Sequence, residues 1–304
     1  MIVDIQSRSW NSPEQLGPAL AERLRRLDGQ RSVPIDASPA KLVAEMSCLS
    51  AACLLGYRCD RTGGAIPNEF IIDQVRRNPG RVVGVAGVDP IAGDPEGQVR
   101  RARDGGLLGI AVSPSTQGFH PNHTAAMRAF EVAESLGMPV WASRPGPITP
   151  TCHLEYDRPL GWDEVARNFP QLAIVIGGLG EPWIAETAML LSKHDRIYAD
   201  LAGVIGRPWP LYEALQAAIG YGVMDRLLFA SGFPLQTPAK AIESLYSVNS
   251  LTHGTQLPSV PRSALRGIVE RDSLAALGIE FEVLPAATPA AAPRSTERIA
   301  VRRS

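Results

Sequence analysis

VVGVAGVDPIAGDPEGQVRRARDGGLLGIAVS, Val82 to Ser113, reads as one structural period. A short run of Val, Gly and Ala (Val82 to Val88) gives way to a stretch with helical spacing, and a second apolar run follows (Leu107 to Ser113). Runs of this length bounded by Gly, Pro or polar residues read as strands, and alternation with helical stretches is the pattern of βα units around a parallel sheet. The same unit recurs on both sides. IVDIQ (Ile2 to Gln6) and AACLLGY (Ala51 to Tyr57) precede it. PVWAS (Pro139 to Ser143), AIVIG (Ala173 to Gly177), RIYADL (Arg196 to Leu201) and LLFAS (Leu227 to Ser231) follow. Eight strands predict an α/β protein closed into a (β/α)8 TIM barrel, a fold that uses about 250 residues as one domain.

The intervening stretches carry helix signals. PNEFIIDQVRRN from Pro67 and TAAMRAFEVAESLG from Thr124 are amphipathic, and Gly137 closes the second as a C-cap does. The long first connection, about Asn11 to Met46, predicts a helix around Glu14 to Leu27, a polar break at Asp28 to Ser32, and packing over one end of the barrel. A last barrel helix is predicted near Arg262 to Leu277. From Pro285 to Ser304 the chain reads PAATPAAAPRSTERIAVRRS, Pro/Ala-rich and basic at its end, which predicts a disordered tail after a barrel spanning 1–284.

Composition narrows the function classes. Of 304 residues, 45% are hydrophobic and 20% charged, which suits a large buried core. The formal net charge is −1 with both signs mixed along the chain, so no basic surface for nucleic acid or an anionic membrane is expected. No apolar run approaches the roughly 18 residues of a membrane span, and the start Met-Ile-Val-Asp lacks a signal layout, so a cytoplasmic location is expected. Cys48, Cys53, Cys59 and Cys152 lack CxxC pairing and read as reduced thiols. No GxGxxG or phosphate loop opens a helix after the first strand. The lysines, Lys41, Lys193 and Lys240, all fall on predicted helices, which argues against Schiff-base chemistry at a strand end.

Four segments carry a resemblance. RNPGRVVGVAGVDP from Arg77, GIAVSPSTQGFHPNH from Gly109, NFPQLAIVIGGLGEPW from Asn168 and DRLLFASGFP from Asp225 stand in one order over about Ile2 to Ile279. The chain resembles the amidohydrolase-related (amidohydrolase 2) family of metal-dependent TIM-barrel hydrolases and decarboxylases, which includes aminocarboxymuconate-semialdehyde and resorcylate-type decarboxylases. The resemblance implies a metal held at the barrel mouth by a D-x-H-x-H run on the first strand, a His ending the fifth, a His after the sixth and an Asp ending the eighth. Here the first run keeps Asp4 but reads Gln6 and Arg8 at the histidine positions, and the fifth strand ends in Ser143. Gly178 and Gly232 stand at the remaining His and Asp positions.

Metal catalysis of this type needs imidazole and carboxylate donors converging from several strands. Glycine offers none, and Arg8 is a cation that repels a divalent ion. The expectation is therefore no metal and no cofactor. The mouth keeps Gln6, Arg8, Ser143, Arg144, Gly178, Asp200 and Gly232 as a ligand-binding set, together with Asp89, Ser113 and Ser231. Arg8 and Arg144 could fork a carboxylate or phosphate; alternatively, Arg8 pairs with Asp200 or Asp4 and fills the space. Three readings of function stand open. One is a pseudoenzyme that binds a small anionic ligand or acts as a scaffold, as a homodimer or beside an active paralogue. Another is a metal-independent lyase or hydrolase acting on a small organic acid, with Asp200 and His153 as its catalytic candidates. A third is an unconventional metal site from His120, His123 and His153.

Overall fold

The computed structural model describes residues 1–30 and 34–284. The predicted tail, 285–304, lies outside the described residues. Eight strands form one parallel sheet in the order β1 (Val3–Ser7), β2 (Ala51–Leu55), β5 (Val82–Gly87), β6 (Gly109–Val112), β7 (Val140–Ala142), β8 (Ile174–Ile176), β9 (Ile197–Asp200) and β10 (Leu227–Leu228). Each pairs with its neighbour in sequence order, and helices on the connections cover the outside. The last strand returns to the first. The Ile5 amide donates to Phe229 O at 3.1 Å, the Arg8 amide to Phe233 O at 2.9 Å, and Ser7 bridges Phe233. The predicted (β/α)8 TIM barrel is the fold of this chain.

Alternation along the strands divides the core in two. One cluster fills the barrel interior with Val3, Ile5, Val83, Trp141, Val175 and Leu228 among its members. The other, larger cluster lies between the sheet and the helices. Trp141 is the largest interior side chain, and its Nε1–H donates across the barrel to Ile5 O at 2.9 Å. Gly109 makes room for it, since a Cβ there would lie 2.5 Å from the indole.

Two local readings of the sequence are corrected. The run AACLLGY is not one strand: β2 stops at Leu55, and Tyr57–Cys59 (β3) pairs antiparallel with Gly64–Ile66 (β4) in a separate hairpin. Gly56 permits the departure, because a Cβ there would lie 2.5 Å from the Gly87 amide. The last helix is also two, Arg262–Glu270 and Ser273–Leu277, because Asp272 accepts from the Ala275 amide at 3.0 Å and starts a new helix as its N-cap. The second piece plugs the lower end of the barrel: Leu274, Leu277 and Ile279 join the interior cluster, and Arg196 donates to Ala276 O.

At the opposite end, the first connection covers the mouth. Its helix runs Pro18–Asp28, after a turn at Pro13–Leu16. Leu16 and Leu20 meet Thr62 of the hairpin and Pro147 and Cys152 of the loop after β7 around a void of only about 10 Å³. Arg61 ties these covers together by donating to Thr116 O at 2.6 Å and Thr151 O at 2.7 Å. Among the described residues no helix is long and apolar enough to cross a membrane.

Candidate functional site at the barrel mouth

The first strand delivers its polar residues to the mouth through an irregularity. Its register against β2 shifts between Asp4 and Ser7. This lets Ile5 stay in the interior cluster while Gln6 also turns inward. Asp4 turns the other way, into the seam between β1 and the end of β10, where Ser231 and Ser7 bind it.

Three of the predicted site residues meet directly. The Ser143 hydroxyl donates to Gln6 Oε1 at 2.7 Å, and Arg8 Nη2 donates to Ser143 Oγ at 3.2 Å and Ser143 O at 3.4 Å. All three are buried. Gly232 closes the set from the segment after β10, its amide donating to Gln6 O at 3.2 Å. On the far side, Asp200 ends β9 fully buried; its Oδ1 accepts from the Gly178 and Ala202 amides, both at 2.8 Å.

Two pairings weighed from sequence are not made. Arg8 forms no ion pair with Asp200 or Asp4 among the described residues, and its Nε has no acceptor. Arg144 does not join it in a fork, because Asp157 takes that guanidinium at 3.1 Å. Asp157 carries no sequence signal, and only the turn at Leu154–Asp157 brings it back to the mouth. Tyr57 was likewise missed. The hairpin buries it, which raises its pKa and keeps it neutral, and among the described residues its hydroxyl lacks a partner within hydrogen-bonding geometry. Asp89 and Ser113 tie loops instead, accepting from the Asp60 amide at 2.9 Å and donating to Thr116 Oγ1 at 3.0 Å respectively.

The histidine cluster does not form either. His123 Nδ1 accepts from the Ala125 amide at 3.2 Å and caps the helix Thr124–Ser135. His120 and His153 flank the ring of Tyr156 at 6.1 and 5.4 Å. Among the described residues no three His, Cys, Asp or Glu side chains converge as a metal site would require, which corrects the reading from His120, His123 and His153. His153 makes no contact with the Arg8 or Asp200 groups among the described hydrogen bonds; its backbone amide goes to Ser115 O.

Charge sets the character of the mouth. Burial pulls the Arg8 guanidinium down to about 10, partly offset by Asp200, so it remains a cation at neutral pH. Burial pushes the Asp200 carboxyl up to about 7, opposed by the Gly178 and Ala202 amides and by Arg8. Its Oδ2 is buried without a partner among the described residues. A carboxyl whose folded pKa exceeds its ordinary value of 3.8 keeps its proton where the unfolded chain has released it. The folded state therefore loses stability as pH rises from about 4 through about 7. Asp200→Asn should remove that loss. In chemical denaturation at pH 5 and pH 8, wild type is expected to weaken at the higher pH and the variant to weaken less, since burial also raises Asp4, Asp89 and Asp157.

A family model described as Amidohydrolase matches residues 19–258. The chain belongs to the amidohydrolase family (Amidohydro_2). No curated protein matches it by sequence. An uncharacterized TIM-barrel protein from Bordetella bronchiseptica is similar with a TM-score of 0.70 at 18% identity, over 91% of this chain and 99% of that one. A probable 2-pyrone-4,6-dicarboxylic acid hydrolase from Acinetobacter baumannii, with citric acid bound, gives 0.62 at 14%, over 91% and 99%. A dihydroxybenzoic acid decarboxylase from Polaromonas sp. JS666, holding manganese and the inhibitor 2-nitroresorcinol, gives 0.61 at 15%, over 91% and 96%. This amidohydrolase barrel is thus related in fold to hydrolases and decarboxylases.

The residues at the mouth do not fit a divalent ion. Gly178 and Gly232 have no side-chain donor, Gln6 Oε1 is taken by Ser143, and a buried guanidinium sits among them. The backbone is shaped to match. Gly178 has φ +59°, and a Cβ there would lie 2.6 Å from Ala202 O. Gly178→His is therefore expected to destabilise by about 1–3 kcal/mol, the usual cost of a strained left-handed residue, measurable by denaturant titration. At Gly232, with φ +71°, the nearest atom to an added Cβ is Ala202 Cβ at 3.3 Å, so Gly232→Asp should cost less.

Proposed function

We propose that this amidohydrolase is a metal-free binding protein whose barrel mouth takes a small organic anion, with Arg8 as the anchor. The observation that carries the reading is the Arg8 guanidinium, buried, cationic, and hydrogen-bonded among the described residues to Ser143 alone. A buried cation held in no ion pair is costly, and a ligand carboxylate offers paired oxygens that match its donors. The related barrels that hold citric acid, or that are named for dicarboxylic or dihydroxybenzoic acids, support a carboxylate ligand. Gln6 and Ser143 orient Arg8 rather than touch solvent. Entry requires the covers tied by Arg61 to part.

A second reading, metal-independent turnover of the same acid, is favoured by one feature: Asp200 is fully buried, is pushed up to about 7 and has an Oδ2 without a partner among the described residues, which suits a general acid or base. The test is calorimetric titration with benzoate, acetate and 2,6-dihydroxybenzoate, with elemental analysis of the same protein and NMR of the mixtures over a day. Saturable heat, unchanged ligand and no stoichiometric zinc, manganese or iron are expected. Conversion of ligand would select the second reading. A stoichiometric metal ion, or no binding by any of the three acids, would sink both.

A further inference from the structure

We propose that the first connection, from Asn11 through the helix Pro18–Asp28, is a lid that swings off the barrel mouth about a neck at Ser9, Trp10 and Ala37 to admit the organic anion. The inference rests on the anion-binding reading above and names the element that controls access to that site.

The neck is drawn together at one atom. Ala37 O accepts from the Ser9 hydroxyl at 2.7 Å and from the Trp10 amide at 3.0 Å, so the chain leaves the barrel and returns to it at the same place. Between these points the hydrogen bonds of the described residues stay inside the connection. Ser12 and Gln15 cap the turn Pro13–Leu16, Arg25 pairs with Glu14 and Arg26 with Glu22, and Asp28 takes the Ile35 amide on the return leg. Among the described residues, none joins 11–30 to the hairpin, to the loop after β7 or to a barrel strand.

Apolar contact docks the connection instead. Leu16, Leu20 and Leu24 are buried, and the other two covers carry glycine where it presses on them. A Cβ at Gly64 of the hairpin would lie 2.8 Å from Leu16 O, and one at Gly146 of the loop after β7 would lie 3.1 Å from Leu20 Cδ1. Such contact is non-directional, and its release orphans no polar group. The hairpin and the loop are held differently. The Asp60 amide donates to Asp89 Oδ2 at 2.9 Å, Gln117 Nε2 to Arg58 O at 2.7 Å, and the His153 amide to Ser115 O at 2.9 Å, which fixes both covers to the segments that follow β5 and β6. Parting therefore falls to the first connection. Beside its neck, a cleft of about 230 Å³ between Trp10, Leu24, Ile35 and Ala37 leaves the base of the lid loosely packed. The lid also stands over the site. It leaves the barrel just past Arg8, and Leu20 rests on Gly146, three residues past Ser143. With it in place Gln6, Arg8 and Ser143 are only 5–7% exposed.

Two measurements on the full chain test the lid. In wild type, hydrogen–deuterium exchange is followed by mass spectrometry over residues 15–28 and over β5 and β6. A helix of 11 residues is marginal in water once undocked, so an opened lid frays and exchanges. Its amides are expected to exchange as one unit, about a hundredfold or more ahead of the strands. Exchange in step with the strands overturns the lid. The second measurement uses a reversible lock, Leu20→Cys with Gly146→Cys, built on Cys152→Ser because Cys152 lines the same void. A Cβ at 146 lies 3.7 Å from Leu20 Cγ, about where a cysteine sulfur would stand, which is within reach of a disulfide. Stopped-flow association of benzoate is expected to slow about tenfold or more in the oxidised form and to recover on reduction. An oxidised form that binds as fast as the reduced one overturns the lid and leaves the anion-binding reading intact. Failure of wild type to bind benzoate overturns that reading, and exchange then judges the lid by itself. Exchange likewise decides if the locked variant fails to fold or to oxidise.

Discussion

Arg8→Met is expected to raise the unfolding midpoint of the ligand-free protein and, in the same molecule, to abolish carboxylate binding. The two effects have one cause. The guanidinium is buried at 5% exposure and forms no ion pair among the described residues, so folding strips its water and returns hydrogen bonds to Ser143 with only a partial offset from Asp200. Replacing even a buried ion pair by apolar side chains of similar volume is often neutral or stabilising by about 1–4 kcal/mol, and a charge in no ion pair has less attraction to lose. At roughly 2 °C per kcal/mol for a chain of this size, the midpoint should rise by about 2–8 °C. Ser143 keeps its bond to Gln6, so the variant orphans no buried donor. Binding should fall about thirtyfold or more, since removing one member of a desolvated charge pair costs about 2–5 kcal/mol. Thermal unfolding and titration with benzoate measure the two halves separately. A midpoint that drops by several degrees would mean that Arg8 is a structural strut, and the binding reading would lose its carrying observation.

How far the sequence reaches can be judged from particular residues. The strands were legible because a parallel barrel buries both faces, which leaves runs such as Val82 to Val88 without polar interruption. The hairpin was not, because Leu55, Gly56 and Tyr57 continue the same apolar run, and only the approach of Gly56 to Gly87 shows where the chain leaves the sheet. At the mouth, the substituted positions were legible from motif spacing, and the structure places Gln6, Arg8 and Ser143 together as that spacing implies. Partner choice was not legible. Whether Arg144 faces Arg8 or Asp157 depends on a turn that brings back a residue 13 positions further on, and whether Arg8 finds Asp200 depends on interstrand distances that the sequence does not encode locally. The positive φ at Gly178 and Gly232 adds something that a substitution pattern hides: the backbone at these two positions is itself suited to glycine.

Asp4 was read as the one retained member of the family run, and its environment assigns it a structural duty with a large expected effect. Its carboxylate lies in the seam that closes the barrel. Oδ1 accepts from the Gln6 amide at 3.1 Å and the Ser231 amide at 3.0 Å, while Oδ2 accepts from the Ser7 hydroxyl at 2.9 Å and from the Ser231 hydroxyl. Asp4 and Ser231 are fully buried, so water cannot replace these bonds. Asp4→Ala strands two backbone amides at about 1–3 kcal/mol each and leaves a void between β1 and the end of β10. A loss of about 3–5 kcal/mol is expected, or roughly 5–10 °C in the midpoint. Asp4→Asn should behave differently. Its oxygen can take the Oδ1 position and keep both amides, and its NH2 can donate to the two serine hydroxyls, which rotate to accept. It also removes a charge whose pKa burial has raised above the ordinary carboxylate value. The asparagine variant should therefore cost less than about 1.5 kcal/mol. Urea denaturation of both variants decides the matter, and equal losses for Ala and Asn would show that the negative charge itself, not the acceptor geometry, holds the barrel closed.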